Sequence, residues 1–197
     1  MNDAATIAPP ASKNNDYILY LDMDGVLVDF NGGFSKLSNG MDLKQFAQDK
    51  GDAAARDQYL QAGAKFWAGL DWIHGGKELW EASSRLFERV CILSSAGTTN
   101  EEKAAVVATG KRAWLKKHIP SLPSDRIFIV PGKHRKQEFA AKNTILVDDV
   151  AVTIKQWNQQ GGYGILHDSR QYKKTIEDLE DIAGPIKLSE IVKRFKK

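Results

Sequence analysis

The chain has 197 residues, 42% of them hydrophobic and 27% charged, an ordinary composition for a globular protein and enough for one domain, with or without an insert, to bury a core without staples. A formal net charge of +3 is too small to mark a nucleic-acid binder. The single cysteine, Cys91, excludes an intrachain disulfide and fits a reducing compartment.

Residues 1–16, rich in Ala, Pro, Ser and Asn, read as a loose tail. They lack the basic start and apolar core of a secretory signal, and no later run approaches membrane-spanning length, so the expected location is the cytoplasm. The first strand is Tyr17–Leu21. From Gly32 to about Glu88 no strand pattern follows; the residues are helix-like and aromatic, among them Phe34, Phe46, Tyr59 and Trp80. That stretch is too long for a simple crossover and too structured for a loop, so it reads as a helical insertion over 32–88. A second strand, Val90–Leu93, contains Cys91 as a small buried hydrophobe.

Asn100 is a good N-cap, with Glu101 and Glu102 in the first turn, for a helix running to about His118 before Pro120. Strands follow at Ile127–Val130 and Thr144–Val147. A helix over Ala151–Gln160 places Ile154 and Trp157 on one face and stops at Gly161. A weaker strand is Tyr163–Leu166, and the Lys-rich end, Lys193–Lys197, reads as a solvated helix terminus. Strands alternating with helices predict an α/β fold: a Rossmann-like three-layer core with a parallel sheet, from 17–31 and 89–197, and a small helical cap inserted after the first strand.

The chemistry gathers at strand ends. Asp22-Met23-Asp24-Gly25-Val26 follows the first strand directly. In open parallel sheets ligands bind beyond the carboxyl ends of the strands. Two acids there repel each other and resist burial, and a metal ion relieves both problems. Val147-Asp148-Asp149 repeats the pattern after the fourth strand, so four carboxylates would share one pocket, a hard oxygen set suited to magnesium. Ser94-Ser95-Ala96-Gly97 ends the second strand with groups able to hold an anion, though the same residues are ordinary turn chemistry. Pro131 to Lys136 follows the third strand and is mostly a solvated basic loop, with a lysine available to neutralise carboxylate and phosphate. His74, His118, His134 and His167 lack metal-ligand spacing.

The order DxDGV, strand-terminal Ser, Lys, paired acids resembles the haloacid dehalogenase superfamily of phosphotransferases over about residues 17 to 168. Within it, Phe66-Trp67 to Trp72, Gly76 to Trp80, and Asp148 through Trp157 and Gly161-Gly162 to His167 resemble the 5′(3′)-deoxyribonucleotidase group and its bacterial and phage relatives. The resemblance implies that Asp22 attacks phosphorus to form an aspartyl-phosphate and that Asp24 serves as acid, then base. It implies magnesium held by Asp22, the Asp24 carbonyl and Asp149, with Asp148 in support. Ser94, assisted by Ser95, would bind the phosphoryl oxygens, and Lys136, in competition with Lys133, would neutralise charge. Phe66, Trp67 and Trp72 would approach the substrate from the cap, although packing alone is the commoner role for such aromatics.

The expected function is therefore a magnesium-dependent phosphatase acting on a small phosphomonoester, a deoxynucleoside monophosphate first. A polynucleotide 3′-phosphatase is the second enzyme reading, given some support by the Lys/Arg-rich C-terminal half. A non-catalytic phosphate binder is the third, disfavoured because a binder needs neither Asp22 nor Asp24.

Overall fold

The computed structural model describes residues 13–184. Five strands, β1 (Asn14–Leu21), β2 (Phe87–Ser95), β3 (Ile127–Val130), β4 (Thr144–Asp148) and β5 (Tyr163–Leu166), form an all-parallel sheet in the order β3-β2-β1-β4-β5. The two strands that end in acids, β1 and β4, are neighbours at its centre, Leu21 opposite Val147. The order reverses direction at β1, which opens a crevice at its carboxyl end.

The sheet is covered on both faces. Leu19, Leu21, Val90, Ile92, Ile145 and Val147 pack with residues of α5 (Gly76–Leu86), α6 (Glu101–His118) and α8 (Tyr172–Ala183). Tyr20, Cys91, Leu93 and Leu146 point the other way, onto Ile154 and Trp157 of α7 (Ala151–Gln159). This is the period-2 alternation of a strand buried on both sides. Asn100 caps α6 by accepting from the Lys103 amide, and Cys91 is a fully buried free thiol.

Two boundaries differ from the sequence reading. β1 begins at Asn14, inside the expected tail, because Asn14 pairs opposite Phe87 and its side-chain amide bonds the Ala183 carbonyl at 3.2 Å. Residues 1–12 and the basic end, Lys193–Lys197, lie outside the described residues. Between β1 and β2 stand α1 (Phe30–Leu37), α2 (Leu43–Lys50), α3 (Asp52–Gln61) and α4 (Gly63–Ala68), then α5. α5 was expected in the insertion, but it packs on β2 and α8, because its stripe of Leu79, Ala82 and Ser83 faces the sheet layer. The elements that roof the crevice come from about Phe30 to Ala68.

Candidate active site

β1 delivers Asp22 into the crevice, where its amide bonds the Val147 carbonyl at 3.0 Å. The chain then turns at Gly25, whose φ of +78° suits glycine, and a β-carbon there would fall on the Asp149 carboxylate. The backbone can therefore lie against the acid only because position 25 has no side chain. Val26, Leu27 and Val28 are buried and anchor the turn from behind.

Lys136 is buried at 2% exposure and lies 2.9 Å from Asp22 Oδ2 and 2.6 Å from Asp148 Oδ2. It stands in a 3₁₀ helix over Lys133–Phe139, not in an open loop. Burial pulls its pKa down, but Asp22 and Asp148 outweigh burial and hold it above the ordinary lysine value. Lys133 is exposed at the cavity rim. The second Asp148 oxygen accepts from the Val150 amide at 2.9 Å, so both its oxygens are engaged within the protein. Burial raises the Asp148 pKa, as does Asp22, against Lys136.

Asp24 pairs with a residue absent from the sequence reading. Lys111, on α6 and 1% exposed, reaches Asp24 Oδ2 at 2.6 Å, Ser94 Oγ at 2.8 Å and the Ser95 carbonyl at 2.8 Å. Its Nζ also lies 5.0 Å from the centre of the Trp67 ring, within cation–π range. Burial raises the Asp24 pKa while Lys111 opposes it. The signal in the sequence was positional. Val107, Gly110, Lys111, Trp114 and Leu115 form the buried stripe of α6, so this lysine occupies a core position among otherwise solvated basic residues.

These groups face a cavity of about 560 Å³, lined by Asp22, Asp24, Ser95, Lys136 and Asp149 on the core side and by Phe30, Tyr59 and Trp67 on the roof. Ser94 does not line it. Its hydroxyl is fully buried and accepts from Lys111, so Ser95, which bonds the Gly97 amide at 3.0 Å, is the serine that meets the cavity. Of the three cap aromatics expected near the substrate, only Trp67 does so. Trp72 is turned away, its indole donating to His118 Nδ1 at 3.1 Å and its ring against Trp114, and Phe66 packs behind Phe30 and Trp67. Their apolar surface is consumed in holding the roof together.

Around Asp22 the carboxylates outnumber the ammonium groups in contact with them. Four carboxylates, Asp22, Asp24, Asp148 and Asp149, face two ammonium groups, Lys111 and Lys136. Oxygens of Asp22, Asp148 and Asp149 lie within 4.8 Å of one another. Partial desolvation at the cavity wall, and the neighbouring Asp22 and Asp148, push the pKa of the exposed Asp149 up to about 7. An all-oxygen donor set of clustered carboxylates, one of them pushed toward its neutral form by its neighbours, fits a divalent hard cation such as magnesium.

No family model matches the chain, and no curated protein is detectably similar to it. Among solved structures, a haloacid dehalogenase-type hydrolase (family IA, variant 3) from Entamoeba histolytica is 13% identical with a TM-score of 0.49, over 86% of this chain and all of that one. A hydrolase from Pseudomonas syringae is 15% identical with a TM-score of 0.46, over 80% of this chain and 89% of that one. A family hydrolase from Deinococcus radiodurans with bound phosphate and sodium is 13% identical with a TM-score of 0.43, over 85% and 89%.

Proposed function

We propose that this chain is a phosphomonoester hydrolase of the haloacid dehalogenase type, magnesium-dependent, acting on a small substrate, with a deoxynucleoside monophosphate as first choice. The observation that carries the reading is the placement of Asp22: an aspartate at the carboxyl end of the central strand, facing an open cavity, with Lys136 2.9 Å away and Asp24 two residues on.

Asp22 Oδ is the nucleophile, attacking phosphorus in line to give an aspartyl-phosphate while the ester oxygen departs. Asp24, on the cavity wall, protonates the leaving alcohol and in the second step takes the proton of the attacking water. Lys136 lowers the repulsion between the carboxylate and the incoming phosphate. The hydroxyls of Ser95 and Thr98, on the cavity wall, are the groups that can donate to the phosphoryl oxygens, since the Ala96, Gly97 and Thr98 amides already donate to the Val130 carbonyl, Ser95 Oγ and the Pro131 carbonyl. Asp22 and Asp149 would hold the metal, with Asp148 fixed by Lys136 and Val150 behind them. When bound, the metal supplies positive charge to the phosphoryl oxygens. Tyr59 and Phe30, both half-buried on the cavity wall, offer aromatic surface for a base, with an edge of the buried Trp67 beside them.

Phosphate release from deoxynucleoside monophosphates, sugar phosphates, 3′-phosphorylated DNA and an aryl phosphate, with magnesium and with excess chelator, tests the reading. Turnover that depends on magnesium, is led by the nucleotides and is abolished in Asp22→Asn is expected. Release that survives chelation, or near-normal release by Asp22→Asn, would refute it.

A further inference from the structure

Beyond Tyr59 the catalytic cavity continues into a second one of about 650 Å³, and the two share Asn31, Leu43, Arg56, Tyr59 and Lys133. The second cavity holds none of the catalytic aspartates. Its charged walls are Lys44, Arg56 and Lys133 against one acid, Asp52. Arg56 projects from α3 in the roof, and Lys133 from the 3₁₀ helix in the core. They therefore meet the junction from opposite sides.

Neither cation is in an ion pair among the described residues. Of the acids near them in sequence, Asp57 binds Lys103 at 3.2 Å and Glu138 pairs with Arg135; Asp52, one turn before Arg56 on α3, makes no ion pair with it, and the neighbour of the Arg56 side chain is the Tyr59 hydroxyl. Like charges left unpaired on two walls of one passage repel each other and raise the potential between them, which an anion relieves. The phosphoryl group undergoing transfer does not need them, since Lys111 and Lys136 already stand among the catalytic groups. A neutral nucleoside leaving group would leave both without an anionic partner.

We propose that this junction is a second anion subsite, clamped by Arg56 from the roof and Lys133 from the core, and that the enzyme takes phosphomonoesters whose leaving group carries a further phosphate. A nucleoside 3′,5′-bisphosphate presents that chemistry: one phosphate at Asp22, the nucleoside along Tyr59 and Trp67, the second phosphate at the junction. The proposal rests on the phosphatase reading above and narrows its substrate class.

The test compares kcat/KM for a deoxynucleoside monophosphate, its 3′,5′-bisphosphate and an aryl phosphate, in the magnesium-loaded full chain and in Arg56→Gln, Lys133→Gln and the double variant. The bisphosphate should exceed the monophosphate by about tenfold at low salt, as expected for charge-assisted hydrogen bonds to one extra anion. That ratio should fall toward one in the double variant and shrink at molar salt, where screening acts over about 3 Å. A dinucleotide with a terminal 3′-phosphate separates the two sources of the second anion: preference for it over the bisphosphate assigns the subsite to a strand's diester, the reverse to a free phosphate. A wild-type ratio near one for both, or a ratio the double variant leaves unchanged, overturns the subsite while monophosphate turnover keeps the phosphatase reading intact. Absence of turnover on every substrate overturns that reading and this one together.

Discussion

Asp24 carries two opposed influences: burial favours its neutral form, and Lys111 at 2.6 Å favours its anion. In the proposed mechanism Asp24 first gives and later takes a proton, a role that benefits from such a balance. Replacement by Asn removes the proton and keeps the shape. Asp24→Asn should slow single-turnover cleavage of a nucleotide, a poor leaving group, by about 100- to 10,000-fold, and slow an aryl phosphate much less. Equal losses on both substrates would reassign Asp24 to site geometry. Lys111→Met deletes the opposing charge. The Asp24 pKa should then rise, and the alkaline limb of the kcat–pH profile should move upward, because the acid stays protonated to higher pH. An unmoved limb would mean that Lys111 acts only in packing. The same substitution leaves a carboxylate without its partner, a change worth up to about 3–5 kcal/mol when the group is fully enclosed and less for Asp24, which opens onto the cavity.

The crossing of α4 and α6 links the roof to the acid. Gly110 is the contact point, since a β-carbon there would meet the Ala64 carbonyl and the Trp67 β-carbon. Its missing side chain brings α4 close enough for Trp67 to cover Lys111. In an isolated helix Gly110→Ala would stabilise by about 1 kcal/mol. Here the methyl group must push two backbones apart, and overpacking typically costs about 1–3 kcal/mol. The expected result in urea unfolding is a net loss of stability, together with weaker nucleotide turnover as Trp67 shifts. A variant as stable as the wild type would mean that the crossing has slack. His167, at the end of β5, is a second element-level constraint: its Nδ1 meets Thr175 Oγ1 of α8 at 2.9 Å, and burial holds its pKa down at about 4.

For the molecule as a whole, the proposed metal site would link stability to metal binding through Asp149. Its pKa near 7 in the folded state lies above the ordinary aspartate value of 3.8, so between those limits the folded chain binds more protons than the unfolded one. Stability from this group is therefore fully present below about pH 4 and lost as pH rises through 7. Opposing it, His167 loses stability as pH falls from 6.5 toward 4, because the unfolded chain then takes up the proton. Without divalent ions the melting temperature should decline from about pH 6.5 to 8, and magnesium should raise it most at the alkaline end. Magnesium affinity by calorimetry should climb with pH below 7, by up to about tenfold per unit, as binding displaces one proton. A magnesium-independent melting temperature at pH 8 would refute the metal site.

The sequence by itself determined the layered α/β fold and the four strand-terminal positions, because hydrophobic period and strand-end polarity are local properties of the chain. Asp22, Asp24, Asp148 and Asp149 were legible for that reason: Asp22 and Asp148 directly follow apolar runs, Asp24 and Asp149 come within two residues of them, and parallel neighbours must bring their carboxyl ends together. Lys136 stood out from Lys133 only by family resemblance, and in the fold the 3₁₀ helix turns one inward and leaves the other at the rim. What tertiary structure alone decided were the partners that come from distant elements. Lys111 is 87 residues from Asp24 and 17 from Ser94, and its role exists only because α6 crosses beneath α4 at a glycine. Trp72 and Phe66 match the expected pattern as well as Trp67 does, yet helix packing turns those two away from the cavity and leaves an edge of the largely buried Trp67 on its wall. Such choices depend on which side of an element meets a neighbour, and residue type does not record that.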